Sequence, residues 1–203
     1  MKIISAEFLV SAPDLRSCPR SALPEFAFIG RSNVGKSSLI NMLTERRDLA
    51  KVSKTPGKTK LINFFTVNGD WTLVDLPGYG YAQIGAQRRR EFNEAVADFL
   101  EGRANLRRVF VLIDSRLPAQ PIDVEFIQWL EGTRVPFAII FTKIDKQSAT
   151  QTGNNIAAFQ AVMRTWRADL PPMFSSSSET RSGRAEILAH IAATVADRSV
   201  ATA

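Results

Sequence analysis

The chain has 203 residues, 45% of them hydrophobic, which suits one well-buried core and leaves too little for two comfortable domains. A formal charge of +6, from 26 Lys and Arg against 20 Asp and Glu, fits an anionic partner such as RNA and fits a merely basic surface equally well. Cys18 is the only cysteine and His190 the only histidine, which excludes a disulfide framework and a Cys/His zinc cluster within one chain. Chemistry then has to run through phosphate, oxygen ligands and hard cations.

The expected organisation is a single domain over 1–203, with an N-terminal extension at 1–23 and a core at 24–198. Phe8-Leu9-Val10 reads as a short edge strand, and Pro13, Pro19 and Pro24 break up the rest of the extension. No apolar run approaches the roughly 20 residues needed to span a bilayer. Glu7 interrupts the apolar start Met1-Lys2-Ile3-Ile4, so no signal peptide is read, and the expected compartment is the cytoplasm, with no membrane partner.

Phe26 to Ile29 form the first buried strand, and Leu39, Ile40 and Leu43 mark one face of a helix beginning near Lys36. A basic, turn-rich stretch from Lys51 to Lys60 follows. Leu61 to Val67 and Trp71 to Asp75 are strand-like and separated by Asn68-Gly69-Asp70, a strong signal for an antiparallel hairpin. A Gly- and Tyr-rich loop precedes a helix carrying Phe92, Ala95, Val96, Phe99 and Leu100 on one face.

Val109 to Ile113 and Phe137 to Phe141 are continuous apolar runs of the kind buried on both faces of a parallel sheet. Between them Ile122, Phe126, Trp129 and Leu130 predict a helix. A further helix is expected around Ala157 to Arg167, a short strand at Pro172-Met173-Phe174, and a last helix with Ile187, Leu188, Ile191 and Val195 on one face. The predicted class is α/β: a mostly parallel sheet with one antiparallel edge hairpin and helices on both faces.

Between the first strand and helix lies Gly30-Arg31-Ser32-Asn33-Val34-Gly35-Lys36-Ser37, a G-x-x-x-x-G-K-S loop followed by Ser38. Its glycines let successive N–H groups turn inward and, with the positive end of the helix, cradle a polyphosphate. Lys36 would reach the β- and γ-phosphates, and the Ser37 hydroxyl would ligate Mg²⁺. Asp75-Leu76-Pro77-Gly78 ends the second hairpin strand, where a carboxylate can meet the Mg²⁺ shell and a glycine amide can face the γ-phosphate.

Thr142-Lys143-Ile144-Asp145 follows the second buried run. The Asp145 carboxylate can accept the N1–H and 2-amino hydrogens of guanine, whereas adenine would leave it unpaired. The Lys143 stem would lie along the base. Phe174-Ser175-Ser176 would close the base pocket and supply a backbone donor to the guanine O6. Motifs in this order, on one sheet edge, predict a GTP/GDP site.

The arrangement resembles the translation-factor-related P-loop GTPases, which have a three-layer, Ras-like fold. The strings GRSNVGKSSLIN, KTPGKTKLINFF, DLPGYGYA and TKID resemble EngB/YsxC-type (YihA) GTPases over about residues 5–195. The resemblance implies GTP hydrolysis in large ribosomal subunit assembly and normal septation, with a large-subunit precursor and its rRNA as partners and the protein a monomer. It makes Thr59 the switch threonine that adds a second hydroxyl to Mg²⁺, with Gly57, Lys58, Lys60 and Leu61 around it; Thr55 is a rival within reach. A GTP-gated module acting on division machinery with little turnover of its own is the other reading.

Phosphoryl transfer depends on positioning and charge neutralisation, and the candidate catalytic groups are Lys36, Asn33, Thr59 and Gly78. Tyr79 stands where many GTPases place a water-orienting glutamine, which predicts slow intrinsic turnover. In related GTPases an asparagine at the place of Asn33 helps hold K⁺ beside the phosphates; the other reading is that Asn33 satisfies loop hydrogen bonds. Arg88, Arg89 and Arg90, with Lys51, Lys54, Lys58 and Lys60, place positive charge beside both switches.

Overall fold

The computed structural model describes residues 1–50, 61–79, 86–133 and 135–197, with the backbone alone for 86–93. The expectations for Lys51, Lys54, Thr55, Gly57, Lys58, Thr59 and Lys60, and for the side chains of Arg88, Arg89, Arg90 and Phe92, lie outside the described residues.

Among the described residues seven strands form one sheet: β1 (Ala6–Ala12), β2 (Glu25–Gly30), β3 (Ile62–Val67), β4 (Trp71–Asp75), β5 (Leu106–Asp114), β6 (Phe137–Thr142) and β7 (Met173–Ser175). Their order is β1-β3-β4-β2-β5-β6-β7. β4, β2, β5, β6 and β7 pair in parallel, and β3 runs against both of its neighbours. The expected hairpin is therefore present, but β1 pairs along its outer side and makes the actual edge.

Asn68 explains that arrangement. It adopts the left-handed conformation that the β3–β4 turn requires, with φ 53°. Its side-chain oxygen accepts from the Ile4 and Ser5 amides at 2.7 and 3.2 Å, and its amide nitrogen donates to the Lys2 carbonyl at 2.8 Å. One residue thus turns the hairpin and anchors the segment leading into β1.

Helices α1 (Lys36–Thr44), α2 (Ala86–Gly102), α3 (Pro121–Gly132), α4 (Ala149–Met163) and α5 (Arg184–Ala196) cover the sheet. Alternation along the strands divides the core in two. Ala27, Ile29, Val109, Val111 and Ile139 face Phe99, Ile127 and Phe159 of α2, α3 and α4. Phe26, Phe28, Phe110, Leu112 and Ile140 face Leu39, Leu43, Ile187 and Ile191 of α1 and α5. Fully burying each Val, Leu, Ile or Phe side chain among them contributes roughly 1.5–3 kcal/mol, which is why both faces of these strands are apolar.

Two expectations need correction. α4 begins at Ala149, capped by the Ser148 hydroxyl, and ends at Met163 rather than running to Arg167. In α3 the buried positions are Asp123, Ile127 and Leu130, while Ile122 and Trp129 are exposed. The helix is rotated from the expected face because Asp123, a charged residue, occupies an inward position.

Candidate functional site

The five parallel strands end at one edge, with Gly30, Asp75, Asp114, Thr142 and Ser175 as their last residues. Strand order reverses at β2, which has β4 on one side and β5 on the other. The loop after β2 therefore opens into the crevice where sheets of this kind bind ligands.

Gly35 caps α1 in the left-handed conformation, φ 102°, and no side chain caps that end. A side-chain-bearing residue would be strained there, and beyond it the amides of Lys36, Ser37 and Ser38 open the helix with no carbonyl of its own turn to bond. The helix dipole adds partial positive charge at that point. These features make an anion site. Asn33 is also left-handed, φ 61°, a conformation asparagine tolerates; its side chain is exposed.

The Lys36 ammonium is paired with the Asp75 carboxylate, and both side chains are nearly buried. The chain then passes across the loop. The Leu76 amide donates to the Phe28 carbonyl at 3.0 Å, and Gly78 lies so close that an added Cβ would stand 2.6 Å from the Gly30 carbonyl oxygen and 3.5 Å from the Ser32 amide nitrogen. Only glycine fits that approach. Leu76 itself is wholly buried in the core, so it offers a ligand its backbone alone.

On the other side, the Thr142 hydroxyl donates to the Val34 carbonyl at 2.7 Å and lies 3.2 Å from that of Ile113. The Lys143 ammonium donates to the Asn33 carbonyl at 2.6 Å and to Asp114 at 2.8 Å. Lys143 and Thr142 thereby fasten the loop after β6 to the phosphate loop. Burial would raise the Asp114 pKa, but hydrogen bonds from Arg116 and Lys143 prevail and lower it to about 2. Asp145 follows two residues after Lys143, its carboxyl held below the usual range by the Ser177 hydroxyl, with Lys146 at 3.0 Å adding to the effect.

At the base end two of the expected contributors are engaged elsewhere. The Ser176 amide donates to the Phe141 carbonyl at 2.7 Å, so it completes the sheet and is not free for a base oxygen. The next amide, Ser177, donates to the Ser182 carbonyl at 3.2 Å. The Phe174 ring packs on Phe110 and His190 in the α1/α5 core, so strand alternation removes it from the base pocket.

A third cluster gathers around Asp123. Arg31 does not turn to the anion site: its Nε donates to both Asp123 oxygens, at 2.9 and 3.1 Å. The Tyr79 hydroxyl donates to the same carboxylate at 2.9 Å, and its ring stacks on Phe126 at 4.3 Å between centroids. Burial, then the Asp123 charge, push the Tyr79 pKa well above its ordinary value, so the phenol remains a donor. Burial also raises that of Asp123, against the opposing effect of Arg31 and Tyr79. Asp123 lies in the first turn of α3 after Pro121, where an acidic residue ordinarily serves the helix dipole, which gives no hint of its buried role.

Residues 25–143 match the family model described as 50S ribosome-binding GTPase. The chain is 52% identical over 191 residues to the probable GTP-binding protein EngB of Bacteroides fragilis, covering 94% of this chain and 95% of that one. It is 50% identical over 192 residues to the EngB of Porphyromonas gingivalis, with the same coverage. The chain belongs to the EngB family of GTPases.

A crystal structure of a probable EngB protein has the same fold, with a TM-score of 0.66 at 23% identity over 86% of this chain and all of that one. Aquifex aeolicus Era, solved as a single-substitution variant bound to GDP·AlF4−, gives 0.67 at 20% identity over 83% of this chain and 56% of that one. As an EngB-family enzyme the chain binds and hydrolyses GTP, and P-loop GTPases take Mg²⁺ with the nucleotide. The residues present suit such an ion: the Ser37 hydroxyl, in the first turn of α1, would be a hard oxygen ligand, with the Asp75 carboxylate at the end of β4 near its shell, the few-protein-ligand kind of set Mg²⁺ accepts beside phosphate.

Proposed function

We propose that this EngB-family GTPase is a single-domain, monomeric, cytoplasmic switch that docks on a large ribosomal subunit precursor with GTP bound and leaves after hydrolysis, and that normal septation depends on it. The observation that carries the nucleotide half is the joining of the phosphate loop to the guanine loop through Lys143 and Thr142, which puts both recognition elements on one frame. The ribosomal half is supported by the family's 50S description and the +6 charge. Among the described residues no helix is long and apolar enough to cross a membrane.

In this reading the amides of Gly35 to Ser38 within the Gly30 to Ser38 loop, with Lys36, bind the phosphates, Ser37 and Thr59 ligate Mg²⁺, and Asp145 selects guanine. Since the Ser176 and Ser177 amides are already engaged, the Ser178 amide is the proposed donor to the guanine O6. Tyr79 cannot orient water as an amide does, and its hydroxyl already serves Asp123, so intrinsic turnover is slow and the missing stabilisation comes from outside. Asn33, left-handed and exposed, is the proposed ligand for K⁺ in that role.

The test is pull-down from lysate with the chain loaded with a non-hydrolysable GTP analogue or with GDP, followed by identification of bound RNA. Large-subunit rRNA retained with the analogue and lost with GDP supports docking; equal retention removes the switch. Turnover in KCl and NaCl at equal ionic strength, for wild type and Asn33→Ala, decides the ion. Faster turnover in KCl that disappears in the variant supports it, and four equal rates reject it.

A further inference from the structure

We infer that Asp123 is a positioning residue that latches Tyr79 and Arg31 together, holding Gly78 down on the phosphate loop in the arrangement a diphosphate accepts and a third phosphate has to displace. This deepens the switch reading and rests on it.

The segment after β4 is tied at both ends. Asp75 is paired with Lys36 at one end, and at the other the Tyr79 hydroxyl donates to Asp123 while its ring stacks on Phe126. Between those ties Gly78 abuts the Gly30 carbonyl and approaches the Ser32 amide. A diphosphate can end in the amide nest at the start of α1. A third phosphate extends beyond it toward residues 75–78, where the Tyr79–Asp123 tie resists the rearrangement; the Lys36–Asp75 pair is already open to exchange with the second phosphate.

Asp123 has no exposed surface, so its carboxylate depends on the partners it has. Two of its bonds come from Arg31 in the phosphate loop and one from Tyr79 beyond the D-x-x-G segment. The carboxylate therefore joins the two elements that a terminal phosphate would have to separate. Neither Arg31 nor Asp123 touches the reacting atoms; they act through the placement of Gly78. A hydrogen bond to a charged group has a net strength sufficient for about a tenfold change in an equilibrium, which is the scale expected of the latch.

Tyr79→Phe removes the hydroxyl and keeps the ring that stacks on Phe126, so it tests the latch with little disturbance of packing. Dissociation constants for GDP and for a non-hydrolysable GTP analogue, measured by titration of fluorescent nucleotides on wild type, Tyr79→Phe and Asp123→Asn, give the readout. The expected result is a shift of about tenfold in the ratio toward the triphosphate in Tyr79→Phe, and a shift of the same sign in Asp123→Asn. An unchanged ratio in folded Tyr79→Phe, a proportional loss of both affinities, or a shift toward the diphosphate overturns the latch. A wild-type chain that takes up neither nucleotide would instead sink the switch reading itself, and the latch with it.

Discussion

The two ends of the crevice are built on different physical principles. At the guanine end the ties that knit the loops are mainly hydrogen bonds to backbone carbonyls, Thr142 to Val34, Lys143 to Asn33, Ser176 to Phe141 and Ile144 to Ser176, with the Lys143–Asp114 ion pair beside them. At the phosphate end the ties are side-chain charges, Lys36 to Asp75 and Arg31 to Asp123. Backbone carbonyls keep their positions whatever the ligand, whereas a polyphosphate would compete directly for Lys36 and shift the segment that Arg31 and Asp123 hold. The first end is a frame that exists before binding, and the second is a set of contacts that binding must exchange.

The largest effect expected is at the charged end. Lys36→Ala leaves Asp75 nearly buried without its cation, a loss of about 3 kcal/mol, and removes the group proposed to bind phosphate. Urea denaturation should show the lower stability, and added GDP should restore little of it; undiminished stabilisation by GDP would contradict the assignment of Lys36.

Asp145→Asn probes the guanine frame and should lower affinity for GTP and GDP on the order of 100-fold, since an amide presents one acceptor and a mismatched donor where two acceptors are needed. Competition with xanthine nucleotides should then favour those over guanine. Retained preference for GTP over XTP would remove Asp145 from base recognition.

Thr142→Val is nearly isosteric and leaves the Val34 carbonyl without its donor, with an expected loss of about 1–2 kcal/mol. Because this contact belongs to the preformed frame, the loss should be the same with and without nucleotide. A loss confined to the nucleotide-free protein would break the contrast between the two ends.

The smallest effect is the acid response of Asp114. Its pKa of about 2 lies below the ordinary 3.8, so the carboxylate contributes stability that is fully present above about pH 4 and lost as pH falls toward 2. Solvent screening reduces that contribution to about 1 kcal/mol. Unfolding free energy measured from pH 5 to 2 should fall more steeply for wild type than for Asp114→Asn, and parallel curves would show that Arg116 and Lys143 do not hold the charge.

Much of the site is legible in the chain because its parts are local. The G-x-x-x-x-G-K-S loop, Asp75 to Gly78 and Thr142 to Asp145 each follow an apolar strand directly, so the class of fold brings their backbones to one edge. Asn68-Gly69 likewise announces its turn by conformation alone. Asp123 is different in kind: its partners stand 92 and 44 residues away, and nothing in the neighbouring sequence distinguishes it from an acid serving a helix dipole.

The sequence by itself determined the αβ alternation, the hairpin, the phosphate loop and the order of the guanine motifs, because each depends on residue type and spacing over a few positions. Tertiary structure alone decided that β1 borders the hairpin, that the Ser176 amide serves the sheet, that Phe174 enters the core, and that Arg31 and Tyr79 share one carboxylate. Those outcomes depend on which surfaces meet after the chain has closed on itself, and that is a property of packing between distant segments rather than of any one of them.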